Sequence, residues 1–350
     1  MADQFHRDNH FVPRMYLKPW EMPDGKVWAY KVLAPHENVP VWKRVSAKAV
    51  SWHSHLYTQI VAGRETDDVE RWFDREFESP AEEALHKATS DKRLTPNDWK
   101  RLIRFAAAQD VRTPAWFAQQ MKRLDETLPE LMKQTMEDSI RRYEEAKRTG
   151  QPVVQSPQLP ATEREGLPLR TTVRKSPSGG GEIGAEIVIG RQYWLWSIKR
   201  ALTVTLKVLH QHHWTILKPP EGTVWFTSDN PVIRLNLQTP TKYDFNGGWN
   251  SPGTEIWMPL GPQHMLYTQV GRRPPRRGER MSEDQARLLR RITAEHAWRT
   301  IFAREQDGEV ASLRLRVVDP EAVKFERQQW ENWHEQQVAA EKDIMSDPSI

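Results

Sequence analysis

The run Trp225-Phe226-Thr227-Ser228-Asp229-Asn230-Pro231 joins two bulky apolar side chains to a polar turn, and a second apolar run, 232–237, follows it. Aspartate and asparagine favour turns because their side chains bond to nearby backbone, and proline favours them because its ring presets φ. The pattern therefore predicts two strands joined by a turn. It also places the carboxylate of Asp229 at the end of a core strand.

Further strands are predicted on both sides of this turn. Apolar runs separated by turn residues indicate extended segments at 214–218, 223–227, 255–259, 265–270, 300–304 and 312–318. Before residue 150, apolar residues recur mainly at helical spacing, and only 26–33 and 39–50 indicate strands. The sequence thus predicts an α+β fold, in which a helical N-terminal half packs with a mainly antiparallel sheet from the C-terminal half.

The Pro- and Gly-rich segment 150–185 divides the chain. Its composition is typical of a flexible loop. We predict an N-terminal arm, a small strand unit and a helical region at 1–149, and this loop at 150–185. A mixed sheet and helix region at 186–320 completes the same core, and a polar helix and tail follow at 321–350. Gly179-Gly180-Gly181 does not indicate a phosphate-binding loop, because no strand precedes it and no helix follows it.

The composition excludes several classes of chemistry. The 350 residues include no cysteine, which rules out disulfides, thiolate catalysis and cysteine-ligated zinc. The net charge of +4, from 51 basic and 47 acidic residues, permits a nucleic-acid partner without arguing for one. Residues 1–10 form no apolar signal segment, and no stretch is long and apolar enough to span a membrane. We expect a cytoplasmic protein with no membrane partner.

Gln109 and Arg112 end a predicted helix whose apolar residues from 99 to 106 form a buried stripe. Helical spacing puts Gln109 on that stripe and Arg112 close to it. A buried arginine needs an anionic partner. Arg112 therefore either clamps a phosphate or carboxylate of a substrate, or forms a structural salt bridge to Glu78 or Asp229.

Asp229 and His10 are candidates for proton transfer. The carboxylate of Asp229 can act as a base, bind a metal or pair with an arginine, or it can close the hairpin as an Asx-turn. The imidazole of His10 can act as a general base or a metal ligand, or it can tie the N-terminal arm to the body by one hydrogen bond.

His53-Ser54-His55 and His210-Gln211-His212-His213 raise the question of a metal. Two histidines one residue apart on a strand face the same side, as ligands of one ion must. The second group stands at a helix end, where the dipole favours histidine, and no nearby acid completes a ligand set. No cofactor is therefore predicted, although a divalent metal stays open.

A basic loop contains Arg272, Arg273, Arg276 and Arg277. Such a loop can contact the phosphates of a nucleic acid. It can also simply be solvated, because no aromatic residues for base stacking are interleaved with it. These arginines are the best indication in the sequence of a polyanionic partner.

Several of these segments resemble one known family. The opening His10-Phe11-Val12-Pro13-Arg14-Met15-Tyr16-Leu17-Lys18 resembles the signature that begins the domain-of-unknown-function family DUF4238, and Thr227-Ser228-Asp229-Asn230-Pro231 resembles its second signature. Glu78-Ser79-Pro80-Ala81, Gln109-Asp110-Val111-Arg112-Thr113-Pro114 and Pro259-Leu260-Gly261-Pro262 are similar to other elements of that family, with Gly261 where serine is usual. The resemblance covers roughly residues 9–305. It implies a bacterial protein and no particular activity.

Two functions from different classes are compatible with these residues. In the first, the protein is a hydrolase of a phosphodiester or another anionic substrate and acts as a defence or toxin-like effector. His10, Glu78 and Asp229 then serve as acid/base or metal-binding groups, and the following residues contact the substrate: Arg14, Gln109, Arg112, Ser228 and Asn230. In the second, the same side chains form a sealed structural network in a non-catalytic binding or regulatory protein. Convergence of these residues on an open cleft would favour the enzyme.

Overall fold

The structure is a computed structural model that describes residues 5–61, 63–150, 169–175, 181–187 and 190–345. It contains both helices and antiparallel sheets, which confirms the α+β class. Much of the predicted loop 150–185 lies outside the described residues, and 169–175 pairs with 181–187 in a hairpin. The domain boundaries drawn at 150 and 185 stay a prediction.

Short strands and helices alternate along the chain. The strands are β1 (Asp8–His10), β2 (Lys26–Lys31), β3 (Leu33–Ala34), β4 (Trp42–Ser46), β5 (Trp52–Ser54), β6 (Gln59–Val61), β7 (Arg64–Thr66), β8 (Leu169–Lys175), β9 (Gly181–Ile187), β10 (Thr215–Leu217), β11 (Thr227–Ser228), β12 (Ile233–Thr239), β13 (Lys242–Asp244), β14 (Glu255–Gly261), β15 (His264–Gln269), β16 (Thr300–Ala303) and β17 (Val317–Val318). The helices are α1 (Arg14–Leu17), α2 (Asp68–Phe73), α3 (Glu82–Thr89), α4 (Pro96–Val111), α5 (Pro114–Thr149), α6 (Arg191–Arg200), α7 (Glu283–His296), α8 (Val310–Leu313), α9 (Pro320–Glu331) and α10 (Trp333–Met345). None of the helices in the described ranges is long and apolar enough to cross a membrane.

Two antiparallel sheets organise the molecule. One has five strands in the order β10-β15-β14-β12-β13, and the other has four in the order β11-β16-β2-β4. In the four-stranded sheet the C-terminal strand β16 pairs with the N-terminal strand β2, with Ile301 opposite Tyr30. The expected division into a helical N-terminal half and a C-terminal sheet is therefore not sharp, because N-terminal strands complete a sheet that C-terminal strands begin.

The stretch 225–231 carries the chain from one sheet to the other. Its two strands do not pair with each other: β11 pairs with β16, and β12 pairs with β14. The expected Asx-turn hairpin at Asp229 is thus wrong, since each strand finds its partner elsewhere. Of the predicted strand 223–227, only Thr227 belongs to the observed strand Thr227–Ser228.

The N-terminal arm docks against this crossing. The hydroxyl of Tyr16 lies 2.6 Å from Oγ1 of Thr227 and donates to the carbonyl oxygen of Pro259 at 2.6 Å. The indole of Trp20 donates to the carbonyl oxygen of Trp225 at 2.9 Å. Tyr16 and Trp20 are buried, so the arm joins both sheets to one core through aromatic burial and satisfied polar tips.

Helix α4 begins and ends as its sequence indicates. Thr95 and Asp98 form a capping box, with Pro96 at the first helical position. The buried face of the helix includes Gln109, as the spacing predicts. Arg112 is the C-cap residue, and Thr113 caps the next helix, α5, through a bond from Trp116 N. The junction of the two helices thereby holds Arg112 and Thr113 in the interior.

The C-terminal segment folds back onto the body. The predicted strand 312–318 is mostly absent, because Val310–Leu313 is a helix and only Val317–Val318 pairs, in parallel, with β3. The predicted polar helix after 320 is present as α9 and α10, which are separated at Asn332. Both helices contact residues near the N-terminus, through Trp330 on His53 and His334 on His55.

Candidate functional site

Arg112 is completely buried within a cluster of polar groups. Its Nη1 donates to Oε1 of Glu78 at 2.5 Å, its Nη2 to the carbonyl oxygen of His10 at 2.5 Å, and its Nε to Oη of Tyr57 at 3.4 Å. A second carboxylate, that of Glu70, lies 4.0 Å from Nη2. Arg112 therefore forms the structural salt bridge to Glu78 that was one of its two interpretations, and its guanidinium has no surface left for a substrate.

Aromatic rings enclose the Arg112 cation. The guanidinium lies 4.4 Å from the ring centroid of Phe73 and 5.5 Å from that of Tyr57, a geometry that stabilises a cation over a π face. Burial raises the pKa of Glu70 to about 7, although Arg112 opposes this shift. The cluster of Arg112, Glu70, Glu78 and Tyr57 thus joins α2, its π-helical continuation and α4 to the loop after β5.

Gln109 lies one turn before Arg112 on the buried face of α4. The residue is fully buried, and neither Oε1 nor Nε2 of its amide has a hydrogen-bond partner among the described residues. An unpartnered buried amide costs free energy. Gln109 does not contact the open surface, so it cannot bind a substrate there.

His10 and Arg14 point away from Arg112. Nε2 of His10 lies 3.2 Å from the carbonyl oxygen of Lys48, and only the backbone of His10 contacts Arg112. This hydrogen bond agrees with the second interpretation of His10, in which its imidazole attaches the N-terminal arm to the body. Arg14 is exposed, and its Nε donates to Glu21 at 3.5 Å.

Asp229 is buried beside the start of β16. Its Oδ1 accepts from the backbone N–H of Trp298 at 2.9 Å, its Oδ2 accepts from that of Arg299 at 2.8 Å, and its own N–H donates to the carbonyl oxygen of Thr300. Burial raises the pKa of Asp229 to about 6, against the opposing effects of these donors and of Lys31. The carboxylate is therefore within reach of protonation near neutral pH.

Asn230 connects the turn 227–231 to Thr113, between α4 and α5, and to His296 at the end of α7. Its Oδ1 accepts from the Thr113 hydroxyl at 3.1 Å, and its Nδ2 lies 3.2 Å from Nε2 of His296. Nδ1 of His296 lies 3.1 Å from the carbonyl oxygen of Asn230, and burial lowers the pKa of His296 to about 4. The side chain of Ser228 accepts from the N–H of Asn230. Ser228, Asn230 and the neutral His296 thus hold the stretch 225–231 in place.

An open cleft of about 630 Å³ lies next to Asp229. Of the residues predicted to form the site, only Asp229 lines it; His10, Glu78, Arg112 and the others do not. Within the described chain, no bond joins Arg112 to Asp229, so the two groups do not form one site. The family segments still meet here, because Phe11, Pro114 and Asp229 all line the cleft.

Lys31 and Thr300 provide further polar groups in the cleft that Asp229 lines. They are directly opposite each other on β2 and β16, and Nζ of Lys31 donates to Oγ1 of Thr300 at 3.0 Å. The walls of the cleft remove water from the ammonium and lower the pKa of Lys31, with Asp229 opposing the shift. Over the whole residue, Lys31 is exposed. A carboxylate, an ammonium and a hydroxyl therefore share one end of the cleft.

Helix α9 forms another wall. The ring of Trp330 stacks on that of His53, with centroids 3.8 Å apart and planes 12° apart, and Arg299 pairs with Glu326. Burial lowers the pKa of His53 to about 4. His53 is therefore neutral near pH 7, and its ring forms an aromatic contact with Trp330.

His55 belongs to a separate group with Glu65 and His334. The potential ligand atoms of the three residues lie within 4.8 Å of one another, so Glu65 supplies the acid that the sequence did not reveal. Nη1 of Arg191 lies 3.0 Å from Nδ1 of His334. Arginine can only donate, so the proton of the neutral ring is on Nε2, which donates to Glu65 at 2.7 Å. Both ring nitrogens of His334 are thus engaged in hydrogen bonds.

The basic loop does not belong to the cleft. Arg272, Arg273, Arg276 and Arg277 lie between β15 and α7, and none of them lines it. Nη2 of Arg277 donates to the carbonyl oxygen of Lys92. A role for this loop in binding nucleic acid stays a prediction.

Sequence reasoning missed Lys31, Thr300, Trp52 and His296. Lys31 and Thr300 lie in two predicted strands, 26–33 and 300–304, but nothing in their spacing shows that the two strands pair. Only that pairing places an ammonium beside Asp229.

The fold and the cleft define an α+β protein with two joined antiparallel sheets and a polar cleft beside Asp229. The family described as a protein of unknown function, DUF4238, matches residues 8–307. The chain therefore belongs to the DUF4238 family. Helices α9 and α10 lie beyond the matched residues. No curated protein and no solved structure matches the chain.

Proposed function

We propose that the protein is a hydrolase of a phosphodiester or a related anionic substrate and that the reaction takes place in the cleft beside Asp229. The observation that carries this proposal is a carboxylate with a pKa of about 6 next to the Lys31 ammonium in an open cleft of about 630 Å³. Perturbed acid and base groups in a cleft are typical of active sites. A cytoplasmic role as a bacterial defence or toxin-like effector is part of the same proposal and rests on the sequence alone.

Each polar group has one role in the proposed reaction. Asp229 accepts a proton from a water molecule, whose oxygen attacks the phosphorus. Lys31 balances the negative charge that develops on the phosphoryl oxygens and gives a proton to the leaving oxygen as the P–O ester bond breaks. Exchange with solvent returns both groups to their starting states. Thr300 holds the Lys31 ammonium through the 3.0 Å bond.

Arg112 and Glu78 take a supporting role in this proposal. Their buried pair ties the carbonyl of His10 to α4, and His10 ends β1, which pairs with β5 at Trp52. Trp52 and His53 on β5 line the cleft. The pair therefore positions a wall of the site rather than a substrate.

Turnover of a chromogenic phosphodiester, bis(4-nitrophenyl) phosphate, tests the proposal. We expect Asp229→Asn to lower kcat by about 100-fold or more and Lys31→Ala to lower kcat and raise KM. Lys242→Ala, an exposed lysine on β13, is the charge-matched control and should leave both constants unchanged. The rate should rise with pH through about 6 as Asp229 loses its proton.

A non-catalytic binding protein is the second candidate, because the completely buried Arg112 and its carboxylate partners form a structural network of the kind that fixes a fold. Calorimetry with the same phosphodiester separates the two. Saturable binding without turnover in the unmodified protein would replace the hydrolase by the binding protein. If circular dichroism shows that Asp229→Asn is folded and still turns over at the original rate, Asp229 is not the base.

A further inference from the structure

We infer that the cleft takes a substrate in which a nucleobase is joined to a phosphate, with the base stacked on Trp52 and the phosphate held by Arg7 and Arg327. This inference rests on the proposed function and specifies its substrate class. Its argument comes from aromatic and charged side chains of the cleft that the reaction itself does not use.

Trp52 has a ring surface that is free for stacking. It is 40% exposed, although tryptophan is normally well buried, and it lines the cleft from β5. The other two cleft tryptophans are occupied: Trp330 stacks on His53, and the guanidinium of Arg299 lies 4.2 Å from the ring centroid of Trp298. Across the described part of the chain, no aromatic ring or cation covers Trp52.

Arg7 and Arg327 line the same cleft and are exposed. Neither side chain has a hydrogen bond or salt bridge with another described residue. By contrast, Arg299 is paired with Glu326, and Lys31 is bonded to Thr300. The cleft therefore offers two unengaged guanidinium groups, which bind phosphate oxygens in bidentate fashion, against one unpaired carboxylate, that of Glu331.

The exposed Trp52 ring and the two free guanidinium groups together select a ligand that neither would select alone. Cations alone would accept any small anion, and an exposed ring alone would accept any flat apolar group. A ring and free guanidinium groups in one cleft of about 630 Å³ match a ligand with a π face and a phosphate. The shared chemistry occurs in a free nucleotide and in the end of a single strand.

Calorimetry with adenosine monophosphate and with ribose 5-phosphate tests the role of the base. We expect the nucleotide to bind at least about fivefold more tightly, the lower limit for stacking one base on an aromatic side chain. Trp52→Ala should reduce the affinity for the nucleotide to that for ribose 5-phosphate, and Trp52→Phe should retain most of the difference. Phe325→Ala, an exposed aromatic residue of α9 outside the cleft, is the matched control and should change neither affinity.

The phosphate is tested with the double variant Arg7→Gln and Arg327→Gln, which should weaken both ligands by the same factor. Competition between the nucleotide and a short oligoadenylate then shows whether the ligand is a free nucleotide or a strand end; preference for either one supports the inference.

Equal affinities for the nucleotide and ribose 5-phosphate in the unmodified protein would overturn the inference. An unchanged affinity for the nucleotide in Trp52→Ala would overturn it as well. In those cases turnover of the chromogenic phosphodiester would still stand. If no phosphate ligand binds and no phosphodiester is cleaved, the proposed function fails as well.

Discussion

Arg112 keeps its charge in the interior because two carboxylates, a carbonyl and two aromatic faces surround it. Arg112→Met preserves much of the volume but leaves Glu78 and Glu70 without their cation. We expect the free energy of unfolding, measured by urea denaturation, to fall by about 3–5 kcal/mol. Arg75→Met, which removes an exposed pair with Glu76, should cost less than about 1 kcal/mol.

The double variant Arg112→Met and Glu78→Gln separates the pair from its surroundings. It should recover part of the lost stability, because one of the two uncompensated carboxylates, that of Glu78, is gone. If Arg112→Met alone is no worse than Arg75→Met, the buried carboxylates do not depend on the guanidinium, and the supporting role proposed for Arg112 is wrong.

Burial of the Gln109 amide costs free energy that no hydrogen bond offsets, since neither polar atom of the amide is bonded within the described residues. Gln109→Leu replaces the amide by an apolar group of similar size on an apolar helix face. We expect the free energy of unfolding to rise by about 1–2 kcal/mol, measured in the same urea titration. A loss of stability would mean that the amide has a partner in solution, such as an internal water molecule.

Glu70 makes stability depend on pH in a definite direction. Its folded-state pKa is raised from 4.5 to about 7, so the folded state holds a proton that the unfolded state releases between these values. The stabilisation that the protonated Glu70 gives the wild-type folded state is therefore lost as pH rises from 4.5 to about 7. Glu70→Gln does not titrate, so its stability relative to wild type should increase over that window by about 1–3 kcal/mol. Parallel curves for the two proteins would show that Glu70 is not perturbed.

At the scale of single elements, a buried ion pair anchors helix α10 to α6. Nε and Nη2 of Arg191, the first residue of α6, donate to the two carboxylate oxygens of Glu341 at 3.0 and 2.8 Å, and both residues are buried. Arg191→Met leaves the Glu341 carboxylate without its cation. We expect backbone amides of 333–341 to exchange with deuterium at least about tenfold faster, while those of α4 are unchanged.

The control for α10 is Arg287→Met on α7, where the pair with Asp284 is exposed. It should leave exchange in α10 as it is in the wild type. Unchanged exchange in Arg191→Met would show that the aromatic contacts of Trp333 and the stacked rings of His55 and His334 hold the helix without the ion pair.

At the scale of the whole molecule, a shared sheet and aromatic side chains join the N- and C-terminal halves. Strand β2 lies between β16 and β4 in one sheet, and Tyr16 and Trp20 bond to Thr227 and Trp225. A fragment of residues 1–149 would expose the edge of β2 and the buried rings of the arm. We expect this fragment to show no cooperative thermal transition in calorimetry, whereas the full chain shows one. A cooperative transition in the fragment would make 1–149 an independent domain.

The sequence by itself determined the local elements. The capping box at Thr95 and Asp98 and the buried face of α4 with Gln109 follow from interactions between residues close in the chain. Helical spacing also places Arg112 near that face, and the cost of burying its charge predicts an anionic partner. Because these causes are local or depend only on residue type, spacing is enough to predict them, and the α+β class follows from the same patterns.

Only the tertiary structure decided which elements meet. The pairing of β16 with β2 places Lys31 opposite Thr300 and next to Asp229, although 269 residues separate Lys31 from Thr300 in the chain. The same folding seals Arg112 against Glu78 and turns the side chain of His10 away from it. Strand pairing depends on the packing of the whole core, and short-range patterns carry no record of it. The cleft at Asp229, rather than the cluster at Arg112, is therefore a product of the assembled sheets.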